Sequence, residues 1–137
     1  MNHHCAELLV ILLWTCTPAF AQARTSVPVR WEWFVVSTPD FVGPFRGDAP
    51  GFRAPVPRQP LPKTLRLARE TRHFGQFEVI VTTDGRTVTE KTLRVSGPEM
   101  ERRTTEVLRR WRLAPALLDG KPIRVRLRVF VDEQPAS

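Results

Sequence analysis

The C-terminal half of the chain carries the most regular alternation of apolar and polar positions. Phe77, Val79 and Val81 alternate with Glu78, Ile80 and Thr82, the pattern of a half-buried strand. Thr83-Asp84-Gly85-Arg86 follows and reads as a tight turn, with Gly taking the positive φ that such hairpins require. Arg86 to Val95 is the return strand. Val88 and Leu93 have opposite parity within it, which predicts a bulge. Ser96-Gly97-Pro98-Glu99 then opens a helix: Ser96 is placed to cap it, and Pro98 suits its first turn. Met100, Thr104, Val107, Leu108 and Trp111 form one stripe at helical spacing. Glu99 and Glu101 stand near the positive end of the helix dipole, and Arg109, Arg110 and Arg112 near the negative end. After a turn at Leu118-Asp119-Gly120-Lys121, the residues Ile123, Val125, Leu127, Val129 and Val131 alternate with Arg124, Arg126 and Arg128.

The order strand, strand, helix, strand predicts an α+β fold: a small three-stranded antiparallel sheet with one helix packed on one face. Such a unit has fewer than about 60 residues, buries only ~60% of its unfolded surface and is marginally stable. Help from a neighbouring segment or a second chain fits that size.

Residues 22–62 are rich in proline and read as an extended segment. Pro50, Pro55, Pro57, Pro60 and Pro62 crowd its second half and exclude helix there. Within it, residues 28–36 alternate, with Val29, Trp31, Trp33 and Val35 on one side. Two tryptophans are costly to leave in water, so this stretch is expected to pack as an extra strand on the main domain or to bind a partner. Leu61, Leu65 and Ala68 have helical spacing and predict a short helix over 61–73. The organisation is therefore 1–21, 22–62, a folded unit at 63–132, and a tail at 133–137.

The first 21 residues read as a cleaved export signal. Ala6 to Trp14 is an apolar run broken only by Glu7, Pro18 follows, and Ala19-Phe20-Ala21 supplies small residues for a peptidase. The run is shorter than the ~20 residues of a spanning helix. Retention of residues 6–20 as an inner-membrane anchor facing the periplasm is the alternative. Both cysteines, Cys5 and Cys16, lie in this segment, so the mature domain is expected to rely on its core alone.

Charge and chemistry narrow the function. Lys and Arg number 21 against 14 Asp and Glu, a formal charge of +7, which favours anionic partners. The row Arg124, Arg126, Arg128 suits acidic side chains, lipid phosphates or anionic glycans. Nucleic acid fits poorly, because no aromatics interleave with those arginines. Beyond the signal, His73 is the single histidine and Tyr is absent. That leaves no basis for a nucleophilic triad, a metal site or a cofactor. His73 is expected to be a solvated loop residue, and the protein is expected not to be an enzyme.

One stretch carries a family resemblance. Trp111-Arg112-Leu113-Ala114-Pro115-Ala116, followed by Gly120-Lys121-Pro122-Ile123, resembles the C-terminal domain of TonB-type energy transducers. The Phe77–Val81 and Asp84–Val88 hairpin and the Ser96-Gly97 pair resemble the same family, over about residues 74–132. The motif positions are Trp111, Pro115, Ala116, Gly120 and Pro122. The resemblance implies a Gram-negative periplasmic interaction domain that grips a segment of an outer-membrane transporter, the peptide adding as a strand beside the last strand. In this sequence the partner-binding residues would be Ile123, Arg124, Val125, Arg126, Leu127, Arg128 and Val129 along an open edge. Homodimerisation stays open. Loss of residues 1–21 would leave a free-standing domain without an anchor.

Overall fold

The computed structural model describes residues 24–40, 47–68 and 72–135. The expected signal at 1–21 lies outside them. In chain order the elements are β1 (Arg24–Ser37), β2 (Phe52–Arg53), β3 (Val56–Pro57), β4 (Thr64–Ala68), β5 (Phe74–Val81), β6 (Thr87–Val95), α1 (Pro98–Arg110), β7 (Leu113–Ala114), β8 (Ala116–Leu118), β9 (Lys121–Ile123) and β10 (Val125–Glu133).

The alternation in β10 governs the architecture. Val125, Leu127, Val129 and Val131 are all at most 1% exposed, a burial that requires neighbours on both flanks. β10 has them, with β5 antiparallel on one side and β1 antiparallel on the other. The main sheet is five-stranded, in the order β4-β1-β10-β5-β6. Two small sheets, β2-β8-β9 and β3-β7, tie the proline-rich segment to the stretch after the helix. The three-stranded sheet expected from the sequence is thus incorrect. Among the described residues the fold is mostly β, with one short helix, and the segment before residue 63 adds a strand to the middle of the sheet.

The expected helix over 61–73 is also incorrect. Thr64–Ala68 is strand β4, paired with residues 24–28 of β1. The helical spacing of Leu61, Leu65 and Ala68 coincides with a period-two pattern in which Leu65 and Leu67 are buried, at 5% and 0% exposure. Partner strands decide between the two readings. The expected bulge in β6 is present as two register shifts against β5.

The helix forms where expected and buries its stripe: Met100, Thr104 and Leu108 are buried along it, with Trp111 just beyond its end. Its cap differs. Gly97 holds the N-cap position with no side-chain cap bond, because the Ser96 hydroxyl instead accepts the Phe74 N–H at 3.1 Å. Glu99 lies in the first turn, accepts the Ala68 N–H at 3.2 Å and meets Arg24 at 3.6 Å. One acid therefore favours the helix dipole and pins β4 to the helix.

His73 is buried, not solvated. Its Nε2 lies 2.8 Å from the Ala68 carbonyl oxygen, and its backbone N–H donates to the Glu133 carboxylate at 3.2 Å. It closes the join between β4 and β5.

Candidate partner-binding sheet

The motif residues converge on the end of the helix. Trp111 is 2% exposed and meets Trp33 of β1 edge-on, with ring centroids 5.7 Å apart. Leu113 and Ala116 are fully buried. Pro115 separates β7 from β8, Pro122 pairs with Leu117, and Gly120 turns the β8–β9 hairpin with φ 79°. Gly85, at the tip of the β5–β6 hairpin, has φ 83° and accepts the Leu113 N–H at 3.1 Å. A Cβ there would press into the Leu113 carbonyl. The helix-end motif and the first hairpin thus form one locked unit, and β1 joins it through Trp33.

No curated protein and no solved structure matches the chain. The family model of the Gram-negative bacterial TonB protein C-terminal domain matches residues 66–132. That match is to the family the helix-end motif resembles, and it covers the segment from within β4 to near the end of β10. The match supports a TonB-like C-terminal domain, of a family generally involved in protein interaction and envelope transport. Among the described residues no helix is long and apolar enough to cross a membrane, and no cluster of three or more His, Cys, Asp and Glu side chains could hold a metal.

The residues expected to form an open edge are brought together differently. Ile123 lies in β9 and pairs with Ala116. Arg124 sits between β9 and β10, and Val125 to Val129 lie within β10. Val29 to Val35 of β1 run antiparallel to Leu127 to Glu133, with Trp33 opposite Val129. β5 fills the other flank, with Phe77 opposite Val129. β10 therefore has no free edge, and an open edge at Ile123–Val129 is corrected to a central strand. The side facing β1 is where a TonB-type partner strand is expected, and this chain fills it with its own segment.

The arginine row stands on the sheet face opposite the helix, as its parity requires, but it is not free. Arg124 meets Asp40 at 2.6 Å, Arg126 meets Glu90 at 2.7 Å, and Arg128 meets Glu78 at 2.9 Å. Arg126 also donates to the Ser37 hydroxyl at 2.8 Å. Arg124 holds the Asp40 carboxyl below the ordinary carboxylate range, chiefly by side-chain hydrogen bonding and also by a backbone N–H and by charge. Arg126 does the same to Glu90 through its side-chain hydrogen bonds. Both guanidiniums are correspondingly held more firmly in their charged form. These pairs join β6, β5, β10 and the end of β1 across the face. A row that spends its charge on neighbouring carboxylates gives lipid or glycan binding no unpaired surface there.

The sequence shows each of these arginines but not their partners, which lie 84, 36 and 50 positions away in the chain. The Trp31 and Trp33 alternation was the one visible signal that β1 belongs to the fold.

Proposed function

We propose that this domain is a periplasmic protein-interaction module that takes up an extended segment of an envelope partner as an added strand of its sheet. By family resemblance the partner is an outer-membrane transporter-like protein. The match of residues 66–132 to the TonB C-terminal family model is the observation that carries the reading. The antiparallel sheet supports it, because main-chain hydrogen bonding along a strand edge supplies affinity without a pocket.

Photo-crosslinking in a Gram-negative host tests it. A photoreactive residue at Phe34, on β1, is expected to give an adduct that maps to an extended segment of an outer-membrane protein. The same residue at Arg102, on the outer helix face, is expected to give none. Adducts absent at Phe34, or equal at both positions, would refute the proposal. Proline at Val125 or Leu127 is not a usable probe, because both side chains are fully buried in the core and the change would unfold the domain.

A further inference from the structure

β1 is longer than its contact with either neighbour. Its first part, 24–28, pairs with β4, and its later part pairs with β10. Two hydrogen bonds fix which backbone groups point where. The Gln134 N–H donates to the Pro28 carbonyl, so even-numbered residues of β1 face β10. The Val29 N–H donates to the Lys63 carbonyl at 2.9 Å on the opposite side, so odd-numbered residues face outward. By the same alternation, Trp31, Trp33 and Val35 direct their N–H and C=O groups outward. β4 has already left the edge at Lys63: the Pro62 carbonyl accepts only the Trp31 indole N–H, at 2.7 Å, and among the described residues no backbone hydrogen bond reaches the outward main-chain N–H and C=O groups of those three.

The other free margins are protected. β6 carries Glu90, Lys91 and Arg94 and is broken by two register shifts, both devices that blunt an edge. β4 is only five residues long and carries Arg66. The stretch 30–36 of β1 has no proline, no lysine and no register shift before Val35. Its two charges, Arg30 and Glu32, face each other at 3.5 Å, and Phe34 is 48% exposed.

The charge beside this edge selects the occupant. The chain that leaves β1 and returns to it bears Arg58, Lys63 and Arg66, all exposed and without a carboxylate partner among the described residues. The end of the helix adds Arg110, whose carbonyl accepts from Gln59. A second copy of this +7 chain would set like charge against like.

The geometry points to the outward edge of β1, residues 30–36, as the seat for an extended, acidic segment of the partner protein. This rests on the strand-addition reading above and moves the seat one strand outward. β1 permanently occupies the place beside β10, and the partner adds to β1.

The test uses the full chain, with Cys5 and Cys16 changed to Ser, and three synthetic ten-residue amidated peptides. One alternates Glu with Val, one alternates Lys with Val, and one is the acidic peptide interrupted by proline. Amide chemical shifts are followed by NMR. The acidic peptide is expected to shift the Trp31, Trp33 and Val35 amides and to bind at least tenfold more tightly than the other two. Val35→Pro removes an outward N–H that no strand uses, a change that edge strands tolerate, and is expected to weaken binding at least tenfold. The surface pair Arg58→Glu with Lys63→Glu is expected to abolish the preference for acid. Binding that is unchanged in Val35→Pro, or shifts confined to other strands, would overturn the seat while leaving strand addition intact. No shift of any strand amide with any peptide would overturn strand addition itself. A dimer that Val35→Pro dissociates would make a second copy the occupant and overturn the acidic segment.

Discussion

Gly85→Ala tests whether the hairpin and the helix-end motif form one locked unit. Two costs apply at this position. The backbone has φ 83°, where an L side chain costs ~1–2 kcal/mol. The new methyl would also meet the Leu113 carbonyl, with its carbon 3.1 Å away. Relief of that clash requires the hairpin tip to move, which breaks the Leu113 N–H bond to Gly85 at 3.1 Å and loses about 1 kcal/mol more. The sum is about 2–3 kcal/mol. Gly120→Ala supplies the control: its φ is 79°, but nothing lies within 4 Å of the added carbon, so only the ~1–2 kcal/mol backbone cost applies. At roughly 4 °C per kcal/mol for a domain of this size, Gly85→Ala should lower the melting temperature by about 8–12 °C and Gly120→Ala by about 4–8 °C, a gap of about 4 °C between the two. Urea unfolding of both variants at equal slope checks the same difference. Equal losses at the two glycines would refute the lock.

Further outcomes follow from the same geometry. Leu127→Ala removes a fully buried side chain from the centre of the sheet and should cost about 2–5 kcal/mol in denaturant unfolding. Trp33→Ala removes the edge-on contact with Trp111, an aromatic pair worth ~0.5–1.5 kcal/mol beyond the area it buries; thermal unfolding should show a loss of at least that size. Asp40 and Glu90 have lowered folded-state values. The stability they add is therefore present above their unfolded values, near pH 4, and is lost as pH falls through the lower folded values. The wild type should lose stability across that acid range, and the Asp40→Asn, Glu90→Gln double variant should lose less, as followed by circular dichroism. The effect should be modest, because both carboxylates are solvent-exposed. Glu78→Leu leaves Arg128 without its carboxylate while its Nε already lacks a partner, and should cost ~1–3 kcal/mol.

Local pattern carried the elements whose identity depends on their own residues. The helix announced itself through the Met100 to Trp111 stripe, the hairpin through Asp84-Gly85, and β10 through its alternation. The helix-end motif identified the family. What escaped is long-range. Thr64–Ala68 is a strand only because β1 lies beside it, and its leucines fit either period until that neighbour is known. β10 reads as an edge when the first 60 residues are counted as an attachment, and as a centre once β1 is placed. The arginines alternate visibly, but their neutralisation depends on acids supplied by three other parts of the chain. Ser96 offers a cap by its position, and only the fold shows that it serves the Phe74 N–H instead. The carboxylate partner of the helix start could not be paired with Ala68 until β4 had a place.

Addition of the partner to the outward edge requires β1 to stay beside β10 while the partner binds. Glu32 and Phe130 face each other across that pairing, in a hydrogen-bonded position whose usual Cα spacing of ~5.5 Å suits a disulfide. In the chain with Cys5 and Cys16 changed to Ser, Glu32→Cys with Phe130→Cys locks β1 in place when oxidised. The decisive measurement is the affinity of the alternating Glu/Val peptide for the oxidised and reduced forms of this variant. Equal affinity is expected in both, with the Trp33 amide shifted in each. Binding lost on oxidation and restored by reduction would contradict outward-edge addition, because the partner would then have to displace β1 from β10.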